Sequence, residues 1–232
     1  MKDSNLNLIL VGGGGFALEI YSYIRDDQSK NDSSNIRIKG VLDSLSSCEL
    51  CKKNPEVKYL GGISDYKVQE NDFAIISVGN ATGRRKISSI LKEISLPLHT
   101  YVHSTAYIAP NANIGKGVFI GPHSFVSTHA LIADNVVMNI FCGVGHGARI
   151  GKYSVMSPYS SINGDCELGE AVFLGSGVIV SPRTKIGDFS LIDAGSTIRE
   201  DIPSFSIVSQ RVEQKIHDNK VLRAKVNTTE YA

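Results

Sequence analysis

Asn113-Ile114-Gly115-Lys116-Gly117-Val118 and Arg149-Ile150-Gly151-Lys152-Tyr153-Ser154 are two six-residue units of one long series. Counting in sixes from Val102 reaches Ile108, Ile114, Ile120, Val126, Ile132, Met138, Val144 and Ile150. The count continues through Met156, Ile162, Leu168, Leu174, Val180, Ile186, Ile192 and Ile198 without a missed step. The next residue is often small or turn-forming, as at Gly115, Gly121, Ser127, Asn139, Gly145, Gly151, Gly169, Gly175 and Gly187. Four places after the aliphatic residue stands another small or β-branched one, as at Val118, Ala130, Val136, Cys142, Ala148, Cys166, Val172 and Val178. A period of six is neither that of a helix nor that of an alternating strand. A short strand plus a tight corner, repeated, satisfies it. Three units would close a triangular coil of about eighteen residues, and coils would stack at about 4.8 Å. The aliphatic residues then point inward, with Gly and Asn at corners because they tolerate positive φ. A β-sandwich is the alternative, but hairpin-connected strands would not hold a strict period.

These units resemble the hexapeptide repeats of left-handed β-helix acyltransferases. The resemblance implies the left-handed sense of winding, which the period alone does not supply.

The chain before the repeats reads differently. An apolar strand, Leu6 to Val11, runs into Gly12-Gly13-Gly14-Gly15-Phe16-Ala17, and Leu18 to Ile24 follow with helical spacing. Strand, glycine turn and helix fit a Gly-x-Gly-x-x-Ala phosphate fingerprint, with amides and the helix N-terminus facing an anion. A second strand, Ile36 to Leu42, ends at Asp43 and Ser44; a carboxylate there can accept hydrogen bonds from a ribose or base. A third, Phe73 to Val78, ends at Gly79-Asn80, with Arg84 following. The expected unit is a small Rossmann-like βαβαβ α/β domain over residues 1–100, its ligand crevice at the strand C-termini. Gly12, Gly14, Gly15, Phe16, Asp43, Ser44, Gly79, Asn80 and Arg84 are the candidate substrate contacts. Three strands are too few for a full dinucleotide fold, which argues against a nicotinamide-dependent oxidoreductase. The β-helix is expected over 101–203, and 204–232 as a capping segment or tail, with weak helical spacing from Val212 to Lys225.

Charge is nearly balanced, with 24 Lys+Arg against 23 Asp+Glu, and no basic run suggests a nucleic-acid footprint. No apolar stretch is long enough to span a bilayer, and the start lacks the features of a secretory signal, so a cytoplasmic protein with no membrane partner is expected. Four cysteines are few. Cys48 and Cys51 form a Cys-x-x-Cys that raises zinc or redox chemistry but has no second ligand pair, and Cys142 and Cys166 fall in the repeat register as small core residues.

A glycine-turn α/β unit followed by a hexapeptide prism resembles, over nearly the whole chain, the family of sugar-nucleotide N-acetyltransferases and sialic-acid O-acetyltransferases. The resemblance implies a nucleotide-linked amino sugar held by the N-terminal domain, acetyl-CoA as co-substrate, no metal, and a homotrimer with active sites between neighbouring prisms. In that family an Asn stands seven residues before the catalytic His, and Asn139 and His146 match. His146 is therefore expected as general base and Asn139 as an active-site contact, with Gly164, one coil up, as oxyanion donor. Gly164, Gly175, Ser176, Ala194 and Gly195 are expected along the acetyl-CoA arm, with Arg183, Lys185 and Arg199 near its phosphates.

The sequence also departs from the family. Gly147 stands where many relatives carry the Asp or Glu that orients the His, and Asp165, one coil above, is a candidate replacement. Val155 replaces a second family His, and Phe16 a His of the glycine turn. The repeats run out at Pro203 without the Pro-Ala-Lys ending common in relatives. O-acetylation of a sugar hydroxyl, a nucleotide-sugar-binding trimer without catalysis, and zinc chemistry through His123, His129 and His146 are the competing functional readings.

Overall fold

A computed structural model describes residues 6–30 and 35–210. The chain begins with β1 (Leu6–Val11), α1 (Gly15–Lys30), β2 (Ile36–Leu42), α2 (Glu49–Lys53), β3 (Asp72–Ile76) and α3 (Ala81–Glu93). The three strands are parallel, in the order β2-β1-β3. Central β1 is apolar throughout its buried part because both its faces are covered. Leu8 and Leu10 pack with Ala17, Ile20 and Ile24 of α1, while Ile9 and Val11 pack with Leu91 of α3. Lys39 on β2 reaches past β1 to Asp72 on β3 at 2.7 Å, and Asp72 also accepts from the Tyr66 hydroxyl and the Gln69 amide. Burial alone would raise the Asp72 pKa, but these three donors hold the carboxyl below its usual range.

From Tyr101 onward, two-residue strands sort into three parallel sheets of seven, six and five strands. Val137 pairs with Phe119 below and Val155 above, so a coil advances by eighteen residues, shortened to sixteen in the last (Leu191 to Ile207), and every pairing among these strands is parallel. Stacked rungs, not hairpins, build this part, and the sandwich alternative falls away. Three walls result. The first carries Tyr101, Phe119, Val137, Val155, Phe173, Leu191 and Ile207 outward; the second Tyr107, Phe125, Gly143, Ser161, Ile179 and Thr197; the third Asn113, Leu131, Arg149, Glu167 and Lys185.

The aliphatic series fills the interior: from Ile120 to Ile198 its members are buried. Each contributes about 1.5–3 kcal/mol of apolar burial. The first coil is less covered, because no rung lies beneath it: Ile108 and Ile114 are half-buried, and Val102 is 37% exposed. Val118, Ala130, Val136, Cys142, Ala148 and Cys166 fill the inner corners, and burial pushes the Cys142 thiol up to about 12. The outer corner residue of many units has positive φ. Glycine adopts this freely at 117, 147, 177 and 195, whereas His123, Phe141, Tyr153 and Tyr159 carry side chains there at roughly 1–2 kcal/mol each.

The α/β unit sits on the first wall. Tyr101, Phe119, Val137 and Val155 form one buried cluster with α1, where Phe16 meets Phe119 edge-on at 5.9 Å and Tyr23 stacks on it at 6.5 Å. The Tyr101 hydroxyl donates to Asp27 at 2.7 Å.

Candidate active site

Two edges flank the second wall, and the candidate residues divide between them. One edge, where the first wall turns into the second, carries Asn139-Ile140-Phe141, Ser157-Pro158-Tyr159, Gly175-Ser176-Gly177 and Asp193-Ala194-Gly195. The other, where the second turns into the third, carries Ser127-Thr128-His129, Gly145-His146-Gly147, Asn163-Gly164-Asp165 and Ser181-Pro182-Arg183, with Arg199 at the top. Asn139 and His146 match by spacing in the sequence, yet within one chain they stand on different edges, with the Gly143–Val144 strand between them.

His146 projects from its edge with 65% of its side chain exposed. Its ring lies over Gly164, where a Cβ on Gly164 would run into the imidazole. The Gly164 amide N–H donates to no other described group. Asp165 sits beside the ring, its Oδ1 3.8 Å from His146 Nδ1, and its own amide donates to the His146 carbonyl at 2.8 Å. A Cβ on Gly147 would meet that same Asp165 oxygen. The missing side chain at 147 thus leaves room for a carboxylate from the next rung. The edge brings together an accessible imidazole, a neighbouring carboxylate and an uncommitted amide, which is the minimum equipment for moving a proton beside an oxyanion.

Asn139 is buried and both ends of its amide are used. Its Oδ1 accepts from the Ile140 amide at 2.7 Å, and its Nδ2 donates to Glu19 of α1 at 2.9 Å. Glu19 is a residue the sequence reading did not single out. Its place on the outer side of the first turns of α1, after the glycine loop, was the only available signal. Val155 is buried on the first wall beneath the α/β unit, so no side chain there reaches the His146 edge.

The glycine loop splits into structural and open positions. Gly12 has φ +100° and packs on Val78, and Gly13 packs against Cys48. Gly14 and Gly15 are exposed at the start of α1. Asp43 accepts from the Gly13 amide at 2.6 Å and the Leu45 amide at 3.0 Å, so its carboxylate braces the loop; exposed Ser44 lies next to it. Phe16 turns its ring to Phe119 and fastens the loop to the prism, a contact suited to an aromatic hydrocarbon rather than a histidine. Asn80 caps α3, accepting from the Gly83 amide at 2.8 Å, and Gly79 lies against Phe16.

Arg84 is not a substrate contact. It is fully buried and donates to the carbonyls of Ile76 and Val78 from the α/β unit and of Asn135 from the prism, at 2.6, 3.0 and 3.0 Å. Burial lowers its pKa to about 9, so it remains a cation at neutral pH. A charge close after a strand end looks like a phosphate ligand in sequence; here the prism covers it.

Of the expected acetyl-CoA contacts, Gly164, Arg183 and Arg199 share the His146 edge, and Gly175, Ser176, Ala194 and Gly195 share the Asn139 edge. Ser176, Ala194 and Gly195 are exposed; Gly175 is buried, a Cβ there meeting the Ala194 backbone. Lys185 lies instead on the third wall, paired with Glu167 at 3.3 Å.

Among the described residues no group of three or more His, Cys, Asp or Glu comes together to hold a metal. His123 stands on the Asn139 edge, whereas His129 and His146 stand on the other. Cys48 is buried, and Cys51 is pushed up to about 11, first by burial and then by Cys48, which suits an inert thiol. No described helix is long and apolar enough to cross a membrane. The expected Val212–Lys225 spacing lies outside the described residues.

No protein-family model matches the sequence, and no curated protein does either. Solved structures do match in shape. A mutant of perosamine N-acetyltransferase from Caulobacter crescentus, in complex with CoA and GDP-perosamine, superposes with a TM-score of 0.76 at 21% identity, over 87% of this chain and 92% of that one. WeeI from Acinetobacter baumannii gives 0.75 at 19%, over 88% and 97%. The acetyltransferase domain of PglB from Neisseria gonorrhoeae gives 0.72 at 22%, over 86% and 94%. This chain has their fold. Coverage that high means the likeness spans the α/β unit and the prism together.

Proposed function

We propose that this chain is an acetyl-CoA-dependent N-acetyltransferase acting on a nucleotide-linked amino sugar, of the kind used for surface polysaccharides such as O-antigen. The observation that carries the reading is the His146 edge: an exposed imidazole 3.8 Å from Asp165, lying over Gly164, whose amide is uncommitted. Its support from shape is that neighbours with this whole-chain fold include an N-acetyltransferase seen with CoA and GDP-perosamine.

In this reading the protein works in the cytoplasm. The Rossmann-like unit, residues 1–100, holds the nucleotide at Gly14, Gly15 and Gly79, and the left-handed β-helix, expected over 101–203 but extending to the Ile207–Val208 rung, carries the chemistry. His146 takes a proton from the acceptor amine as its nitrogen attacks the thioester carbonyl. The carbonyl oxygen gains charge in front of the Gly164 amide. The C–S bond breaks as the amide bond is completed, and the imidazolium returns the proton to the leaving thiolate. Asp165 stabilises the imidazolium formed in between.

The two edges explain why a trimer belongs to the proposal. The second wall is apolar or small along its length, with Tyr107 and Phe125 exposed. Burying it about a threefold axis would set the His146 edge of one prism beside the Asn139 edge of the next. The pantetheine arm would then run between Arg183 and Arg199 on one side and Ser176, Ala194 and Gly195 on the other. Purified protein incubated with acetyl-CoA and UDP-, dTDP- and GDP-linked amino sugars tests this. Release of CoA dependent on one acceptor is expected; its absence with every acceptor would leave a binding protein instead.

A further inference from the structure

Glu19 is an exposed carboxylate of α1 that the prism holds in place. The Asn139 amide fixes it: Oδ1 is occupied by the Ile140 N–H, so the donor end must face α1, and it donates to Glu19 Oε2 at 2.9 Å. Asn139 is only 7% exposed, whereas Glu19 is open to solvent, and its second oxygen has no partner among the described residues. Beside it on the same edge rises an aromatic ladder. His123, Phe141 and Tyr159 stack at 5.1 and 5.2 Å, with Phe141 and Tyr159 open to solvent. These rings sit at positive-φ corners that disfavour side chains, and the ladder stops at Gly177, around which a Cβ would meet nothing. Phe141 is sandwiched between His123 and Tyr159 and presents its edge, whereas the Tyr159 face toward Gly177 is uncovered. A fixed carboxylate by such a ladder is the arrangement that recognises an amino sugar, whose N–H groups need an acceptor and whose C–H face needs a flat apolar surface.

Resting on the proposed transferase reading, we infer that Glu19, with the Phe141 and Tyr159 rings, is the acceptor-sugar cradle that selects an amine over a hydroxyl. An amine arriving as ammonium is drawn to Glu19; after it has lost one proton to solvent, the neutral amine still donates one N–H to Glu19, while its other proton goes to the imidazole of a neighbouring copy during the attack. That bond leaves the nitrogen lone pair free to face the thioester.

The test is steady-state kinetics of Glu19→Gln with the best acceptor of the UDP-, dTDP- and GDP-linked panel. Gln retains an oxygen for Asn139, so a strut between α1 and the prism would be unaffected. KM for the amino sugar should rise about ten- to hundredfold, with KM for acetyl-CoA and the melting temperature unchanged. Tyr159→Ala should raise the same KM. An unchanged sugar KM in Glu19→Gln, in an active wild type, overturns this inference alone; a wild type inactive on the whole panel overturns the transferase reading with it.

Discussion

His146 Nδ1 lies 3.8 Å from the Oδ1 of Asp165, a residue of the next coil, and Gly147 is what lets it do so. A carboxylate that orients an imidazole need not be its neighbour in sequence; one rung of a solenoid brings residues eighteen apart into register, so His146 meets Gly164 and, one residue further, Asp165. If this pair serves proton transfer, His146→Ala should lower kcat by about 10²–10⁴-fold. Asp165→Asn should lower it by less, while Asp165→Glu restores part of the loss. Equal activity in all three would remove the edge from the mechanism.

Gly164→Ala probes the same edge without touching a titrating group. The new methyl would occupy the place of the imidazole ring and displace it. Turnover should fall by about two orders of magnitude or more, with circular dichroism unchanged. A variant that keeps full activity would show that the ring does not work from its place over this glycine.

Arg84 should behave as a structural residue. Arg84→Met leaves three buried carbonyls without their donor, a loss of about 2–4 kcal/mol read by urea unfolding. Were Arg84 a nucleotide ligand, the variant would instead raise KM for the sugar nucleotide with stability intact.

Acid should weaken the join between the two units. Burial lowers the pKa of His99 and, against the pull of Asp27, that of His103. The unfolded chain therefore binds more protons than the folded one once pH falls below the ordinary histidine value, about 6.5. Stability is whole above that value and lost below it, toward the lowered folded pKa values. The urea midpoint should drop between about pH 7 and 5.5, and the slope should flatten in a His99→Gln, His103→Gln double variant.

The prism was legible because one physical demand, an inward aliphatic at each side of a triangle, repeats unbroken from Ile108 to Ile198. That His146 and Asp165 lie close was legible for the same reason, since eighteen-residue register sets Gly164 on His146 and Asp165 comes next. Asn139 shows where that stops: spacing put it near His146, but a wall lies between them. Glu19 was hidden because its contact spans 120 positions, and no local pattern reports such a partner. Arg84 was misread because sequence shows a charge after a strand and cannot show the Asn135 carbonyl above it.

That shared guanidinium also bears on how such chains can be recombined. A crossover near residue 100 between two members of this architecture looks innocuous, since it cuts between the halves. It would nevertheless transplant a buried cation without one of its carbonyls, or the carbonyl without its cation. Chimaeras should therefore express well only when the α3 arginine and the coil around Asn135 come from the same parent.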